Sequence, residues 1–202
     1  MARLIIDQWM TLDGVVQGPG DAQEDTSGGF RHGGWHWPHV DAITDAWVTA
    51  TTRDAAAFLF GRGTYERFAN FWPIAGPEFA ALAEPLNDRP KYVASTTLAE
   101  PLSWGNAHLL RGDTRPAVAD LKERIDGDIH LVGSATLART VIGEGLVDEL
   151  RLFIEPVLVG GGKRFLPDDG ALHRLDLIDS RTTTTGVIIA TYRPHHSEKD
   201  PT

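Results

Sequence analysis

Cysteine is absent from the sequence. That absence removes disulfides, thiolate nucleophiles and any zinc or iron–sulfur site built on cysteine ligands. Cationic charge is scarce too: 19 Lys and Arg stand against 28 Asp and Glu, giving a formal net charge of −9, and no basic run is longer than Lys163-Arg164. Without a field that attracts phosphate backbones, nucleic acid and anionic membrane are not expected partners. Long apolar runs are missing as well. No stretch approaches the roughly 20 residues of a membrane span, and Leu4-Ile5-Ile6 is too short and wrongly flanked for a signal peptide. A soluble, cytoplasmic protein is expected.

A 42% hydrophobic content over 202 residues can build one real core. One domain over residues 1–194 is expected, followed by a polar tail at 195–202. Short β-type runs occur at Arg3–Trp9, Ala56–Phe60, Lys91–Ala94, Ala107–Leu110, Ile129–Val132, Glu149–Ile154 and Gly186–Tyr192. Helices are expected between them at about 40–52, 64–71, 77–86, 114–125 and 134–144, with Thr114 as an N-cap and Gly145 as a C-cap. The alternation predicts an α/β fold in three α/β/α layers around a mostly parallel sheet. Two β-type runs around Thr182–Gly186 predict an antiparallel C-terminal hairpin. The segment from Gly14 to Gly34, rich in glycine, is too irregular to be kept without a use.

Three places set glycine or hydroxyl residues after a strand, where a helix begins: Gly61-Arg62-Gly63-Thr64, Ser95-Thr96-Thr97, and Val132-Gly133-Ser134-Ala135-Thr136. The free N–H groups of a first helical turn and its dipole favour an anion such as a phosphate. Arg62 adds a charged donor, and Thr64 is placed to cap its helix. The G-x-G-x-x-G fingerprint fails at Glu66, and Gly160-Gly161-Gly162-Lys163 fails as a P-loop because Arg164 replaces the magnesium-ligating Ser/Thr.

Five segments together resemble the dihydrofolate reductase superfamily, most closely the branch that includes the reductase domain of riboflavin biosynthesis. They are Met10-Thr-Leu-Asp-Gly14, Gly61-Arg-Gly-Thr-Tyr-Glu66, Lys91-Tyr-Val-Ala-Ser-Thr96, His130-Leu-Val-Gly-Ser-Ala135, and Gly145–Leu150 running on through Pro156–Phe165. The resemblance implies a dihydrofolate reductase-like fold, NADPH as cofactor and a homodimer, with Leu150–Val159 a candidate edge. It puts Leu12 and Asp13 on a loop over the nicotinamide, and Gly61, Arg62, Gly63 and Thr64 on the pyrophosphate and adenosine side. Ser95 and Thr96 would meet the ribose 2′-phosphate, and Val132, Gly133, Ser134, Ala135 and Thr136 would clasp the pyrophosphate. Residues 14–34 become a lid.

Hydride addition to a C=N bond also requires a proton on nitrogen, which a semi-buried carboxyl can supply. Asp45, spaced before Gly61 much as in folate reductases, and Asp13, from the Leu-Asp-Gly signature, compete for that role. Trp9, Trp47 and Trp72 are candidate platforms for a flat substrate. His32, His36 and His39 lack a helix to align them, and no metal is expected. The expected activity is NADPH-dependent reduction of a small planar N-heterocycle, pterin- or dihydrofolate-like or pyrimidine-like. The alternative is a nucleotide-binding module that keeps fold and cofactor site without catalysis.

Overall fold

Eight strands form one sheet in a computed structural model that describes residues 1–166 and 168–195. In chain order the strands are β1 (Leu4–Thr11), β2 (Ala57–Gly61), β3 (Lys91–Ala94), β4 (Ala107–Leu110), β5 (Ile129–Val132), β6 (Glu149–Glu155), β7 (Leu175–Thr182) and β8 (Ile188–Pro194). The helices are α1 (Ala42–Asp54), α2 (Arg62–Phe71), α3 (Ala80–Asp88), α4 (Thr114–Arg124) and α5 (Ala135–Gly143). The sheet order is β4-β3-β2-β5-β1-β6-β8-β7. All pairs through β6 are parallel, while β8 runs antiparallel to both β6 and β7.

The central strands are buried on both faces, as continuous apolar runs require. Leu4, Ile6, Ala57, Leu59, Ile129 and Leu131 pack under Val118 and Leu121 of α4 and Leu137, Ala138 and Val141 of α5. Phe58, Phe60 and Val93 point to the other face, where they meet Tyr65 of α2, Leu86 of α3 and Trp104. On that same side α1 covers Phe153, Val187 and Ile189 with Trp47 and Val48. Each fully buried Leu, Ile or Phe contributes roughly 1.5–3 kcal/mol by leaving water. The sheet between two helical layers is the architecture the sequence predicts.

The helix caps differ in part from those the sequence predicts. Asp41 caps α1, its Oδ1 accepting from Ile43 N (3.0 Å) and Thr44 N (2.9 Å), and Oδ2 accepts from Thr184 N (2.7 Å) in the β7–β8 turn. Those donors hold its carboxyl well below the usual range, the Thr184 hydroxyl most of all. Asp113, not Thr114, is the N-cap residue of α4, and Gly61 rather than Thr64 stands at the cap of α2. Gly145, at φ +66°, closes α5 as expected, with Leu146 N donating to Val141 O (3.0 Å).

The candidate edge at Leu150–Val159 is not an edge over its strand residues. β6 pairs with β1 on one side and β8 on the other, so Leu150–Glu155 lies inside the sheet; the edges are β4 and β7. The tail expected from 195 lies outside the described residues apart from His195, whose N–H donates to Arg174 O (2.8 Å). No described helix is long and apolar enough to cross a membrane.

Candidate active site

Because β1, β2, β3, β5 and β6 are parallel, Thr11, Gly61, Ala94, Val132 and Glu155 all end on one edge of the sheet. The helices that follow β1 and β5 pack on opposite faces of the sheet, α1 on Phe153 and α5 on Leu59 and Leu131, which opens a crevice at the carboxyl ends, the usual ligand position in such sheets.

Two of the three turns meet there directly. Gly61 N donates to Ser134 Oγ (2.8 Å), and Ser134 Oγ also bonds Thr64 Oγ1 (2.6 Å). Ser134 adopts the left-handed conformation, φ 57° and ψ 59°, which costs a non-glycine residue roughly 1 kcal/mol and is kept where the surroundings demand it. Here it carries the hydroxyl across to β2 instead of capping its own helix. A Cβ on Gly61 would stand 2.9 Å from that oxygen, so only glycine allows the approach. Neither α2 nor α5 has a side-chain cap hydrogen bond at its N-terminus, and the space above Gly63 is open. Thr64 therefore braces the two turns and does not cap. The third turn joins through Arg62, whose NH1 donates to Thr97 Oγ1 (3.0 Å). Ser95 Oγ accepts from Thr97 N (3.2 Å) and Leu98 N (3.1 Å), and Thr96 is exposed beside it.

The loop after β1 is tied to the loop after β6. Asp13 Oδ1 accepts from Thr11 Oγ1 (2.6 Å) and Val159 N (3.2 Å), while Oδ2 accepts from Gly160 N (2.8 Å). These donors, the Thr11 hydroxyl foremost, hold the Asp13 carboxyl down at about 2. A carboxylate so held is an anchor and carries no proton near neutral pH. Leu12 beside it is 59% exposed, free to contact a ligand. Asp45, in the first turn of α1, is exposed, while Trp47 and Val48 pack inward on Phe153, Val187 and Ile189.

The three tryptophans divide. Trp9 stacks on Phe153 with centroids 4.4 Å apart and planes 3° from parallel, and Trp47 meets Phe153 edge-on at 5.0 Å with Arg151 over its ring at 5.2 Å. Trp72 instead packs with Phe68, Phe71 and Phe79 in the α2–α3 cluster. The structure brings Trp9 and Trp47 together and leaves Trp72 out.

Segment 14–34 is built, not loose. Val15 bridges Arg164, Trp35 Nε1 donates to Gln17 O (2.8 Å), Gln17 Nε2 donates to Asp25 O (3.0 Å), and Gly34 N donates to Gly18 O (2.7 Å). Val15, Phe30 and Trp35 pack against Trp9 and Val159, so the segment closes over Trp9 and the loop after β6. A Cβ on Gly162 would lie 2.8 Å from the Phe30 ring, which explains glycine in the facing loop. A cavity of about 440 Å³ between the two loops is lined by Gln17, Phe30, Arg31 and Lys163 among others, and by none of the cradle residues.

Two polar groupings escape the sequence reading. His36 Nδ1 and Glu155 Oε1 are hydrogen-bonded at 2.7 Å beneath the covering segment, and His130 Nδ1 and Asp7 Oδ2 at 2.6 Å lie buried mid-sheet. In each case the available signal was an ionisable residue in or ending an apolar strand: Asp7, His130 and Glu155. The partners, 119 and 123 residues apart, could be paired only by the sheet order. The three histidines scatter, with His32 edge-on to Phe30 and His39 using its carbonyl to accept from Thr185 Oγ1 (2.5 Å).

A family model for the RibD C-terminal domain matches residues 2–189. The protein YyaP of Bacillus subtilis (strain 168) is 30% identical over 192 residues, covering 94% of each chain. A Shewanella sp. PV-4 protein attributed to riboflavin biosynthesis superposes with a TM-score of 0.73 at 18% identity, over 97% of this chain and 100% of that one. Dihydrofolate reductase from Enterococcus faecalis, complexed with NADP(H) and RAB-propyl, gives a TM-score of 0.60 at 11% identity, over 96% and 97%. At these identities the likeness to the solved structures is one of fold.

Proposed function

This chain belongs to the RibD C-terminal domain family, and from that premise we propose that residues 1–194 form one reductase domain that uses NADPH to reduce a small planar N-heterocycle, pterin- or pyrimidine-like. The observation that carries the reading is the pair of helix N-termini, α2 and α5, drawn together by Ser134 with neither first turn capped by a side chain. Uncapped N–H groups and two positive dipole ends converge where a diphosphate would sit. Arg62, Ser95 and Thr96 supply the donors for a ribose 2′-phosphate, and Gly133, Ala135 and Thr136 supply backbone and hydroxyl contacts on the α5 side. The residues fit the group.

When bound, NADPH supplies a hydride. The chain's own contribution is to orient, exclude water and handle a proton. Leu12 is presented by a loop that Asp13 clamps, the covering segment keeps water from Trp9, and Trp9 with Trp47 gives a flat substrate an aromatic wall. A second copy of the chain is the other proposed partner. With β6 interior, the surface we assign to it is the β7 edge, where Leu175, Leu177 and Ile178 are exposed.

Calorimetric titration tests the cofactor half. NADPH is expected to bind about tenfold or more tightly than NADH, because charge-assisted hydrogen bonds contribute roughly 1.5–3 kcal/mol. Arg62→Ala should erase most of that preference. Equal binding of the two, or no heat and no thermal shift with millimolar NADPH, sinks the reading.

A further inference from the structure

Glu155 ends β6 in register with Thr11 of β1, and its side chain is fully buried. Its Oε1 bonds His36 Nδ1, while Oε2 has no hydrogen-bond partner. Trp9 Nε1 is likewise buried without a partner, and the Trp9 and His36 rings meet edge to face at 5.9 Å. An unused carboxyl oxygen and an unused N–H donor in one buried cluster are uncommon, since each forgoes the hydrogen bond it had in water. A planar ring that presents a C=N nitrogen to take a proton from Oε2, beside a carbonyl or second ring nitrogen that accepts from Trp9 Nε1, would engage both.

We propose that Glu155 is the catalytic residue that passes a proton to the substrate nitrogen, that His36 is its positioning residue, and that Trp9 Nε1 donates to an acceptor on the substrate ring. The assignment rests on the reductase reading above. It also follows from the alternatives: Asp13 has both oxygens engaged by three donors, and Asp45 is exposed. Glu155 stands on the carboxyl edge of the sheet, two strands from Val132, a separation of about 10 Å at the usual strand spacing.

In the step, the incoming hydride pair forms a new C–H bond as the C=N π bond opens onto nitrogen, with NADPH oxidised to NADP⁺. The nitrogen takes its proton from Glu155, which is left as the carboxylate. His36, whose side chain keeps 15% exposure, connects the buried carboxyl to solvent and restores the proton through Oε1. His36 belongs to the stretch that continues the cover, with its N–H donating to Pro19 O (3.1 Å), so lifting the cover breaks the pair and closing it remakes the pair.

The test compares wild type, Glu155→Gln, His36→Asn and His36→Phe as full chains, using 7,8-dihydropterin and 7,8-dihydrofolate as probes. In Glu155→Gln, single-turnover NADPH oxidation should fall about 100-fold or more, the range of general acid catalysis, while NADP⁺ affinity by calorimetry stays within about twofold of wild type. In the same single turnover His36→Asn keeps a donor for Oε1 and should retain most of the rate, whereas His36→Phe should lose it; equal losses in both overturn the positioning role. A Glu155→Gln rate equal to wild type overturns the assignment. If wild type binds NADP⁺ but reduces neither probe, pterin binding read by tryptophan quenching decides: binding lost in Glu155→Gln supports it, and equal binding or none in either protein overturns it. Failure of every protein to bind NADP⁺ defeats the cofactor reading, and the pterin titration still judges Glu155.

Discussion

Replacing Asp13 by Asn separates an anchoring carboxylate from a proton donor. In the wild type three donors converge on the carboxylate, and its pKa falls from the ordinary 3.8 to about 2. A depressed folded-state value means the unfolded chain binds the proton first as pH drops. The stabilisation is therefore complete above about pH 4 and disappears as pH falls through 2. For a carboxyl shielded from water, a fall from 3.8 to about 2 would correspond to about 2.4 kcal/mol. The group sits on a partly exposed loop, and solvent screening reduces this to about 1 kcal/mol. In a chain of this size that is a melting temperature lower by roughly 2–4 °C for Asp13→Asn at pH 7. Thermal melts followed by circular dichroism at steps from pH 7 to pH 2 should show the gap closing between 4 and 2. A gap that stays constant across that range, or none at pH 7, refutes the anchor. On the chemical side, the variant should still bind NADPH. A rate loss of about a thousandfold with loop and melting temperature unchanged would return Asp13 to the role of acid.

Two further substitutions probe other joints of the fold. Lys91 is fully buried, its Nζ donating to Leu86 O, Asn87 O and Arg89 O, each at 2.8 Å, and lying 4.7 Å over the Trp104 ring. Lys91→Met keeps the stem but strands three carbonyls at the end of α3, so chemical denaturation should register a loss of about 3–5 kcal/mol; a loss under 1 kcal/mol would mean the carbonyls find water. Leu177→Asp sets a charge at a position 57% exposed on the β7 edge. Sedimentation velocity should show the proposed dimer converted to monomer with NADPH binding retained, and an unchanged dimer would place the interface elsewhere.

The strands were legible because a parallel sheet writes itself as short apolar runs, and Leu4-Ile5-Ile6 or Ile129–Val132 has few other readings. Caps were less legible, since Asp113 and Thr114 are both good N-cap residues and one residue of backbone geometry decides between them. The cofactor turns were legible as chemistry but not as an arrangement. Ser134 reads as a helix cap; only when β5 inserts between β2 and β1 does its left-handed backbone send the hydroxyl to Gly61 and Thr64. The same insertion pairs Asp7 with His130, because strands remote in sequence become neighbours. Glu155 was hidden for a different reason. An acid before a proline at a strand end looks like a solvent-facing boundary, yet it is buried, with His36 folded down onto it. Charged side chains lose exposure at such a cover when a ligand site needs them there or when a partner neutralises them. His36 occupies one carboxyl oxygen and leaves the other free beside an unpartnered indole N–H, so partnering alone accounts for half of what is buried. The remaining half points to a ligand.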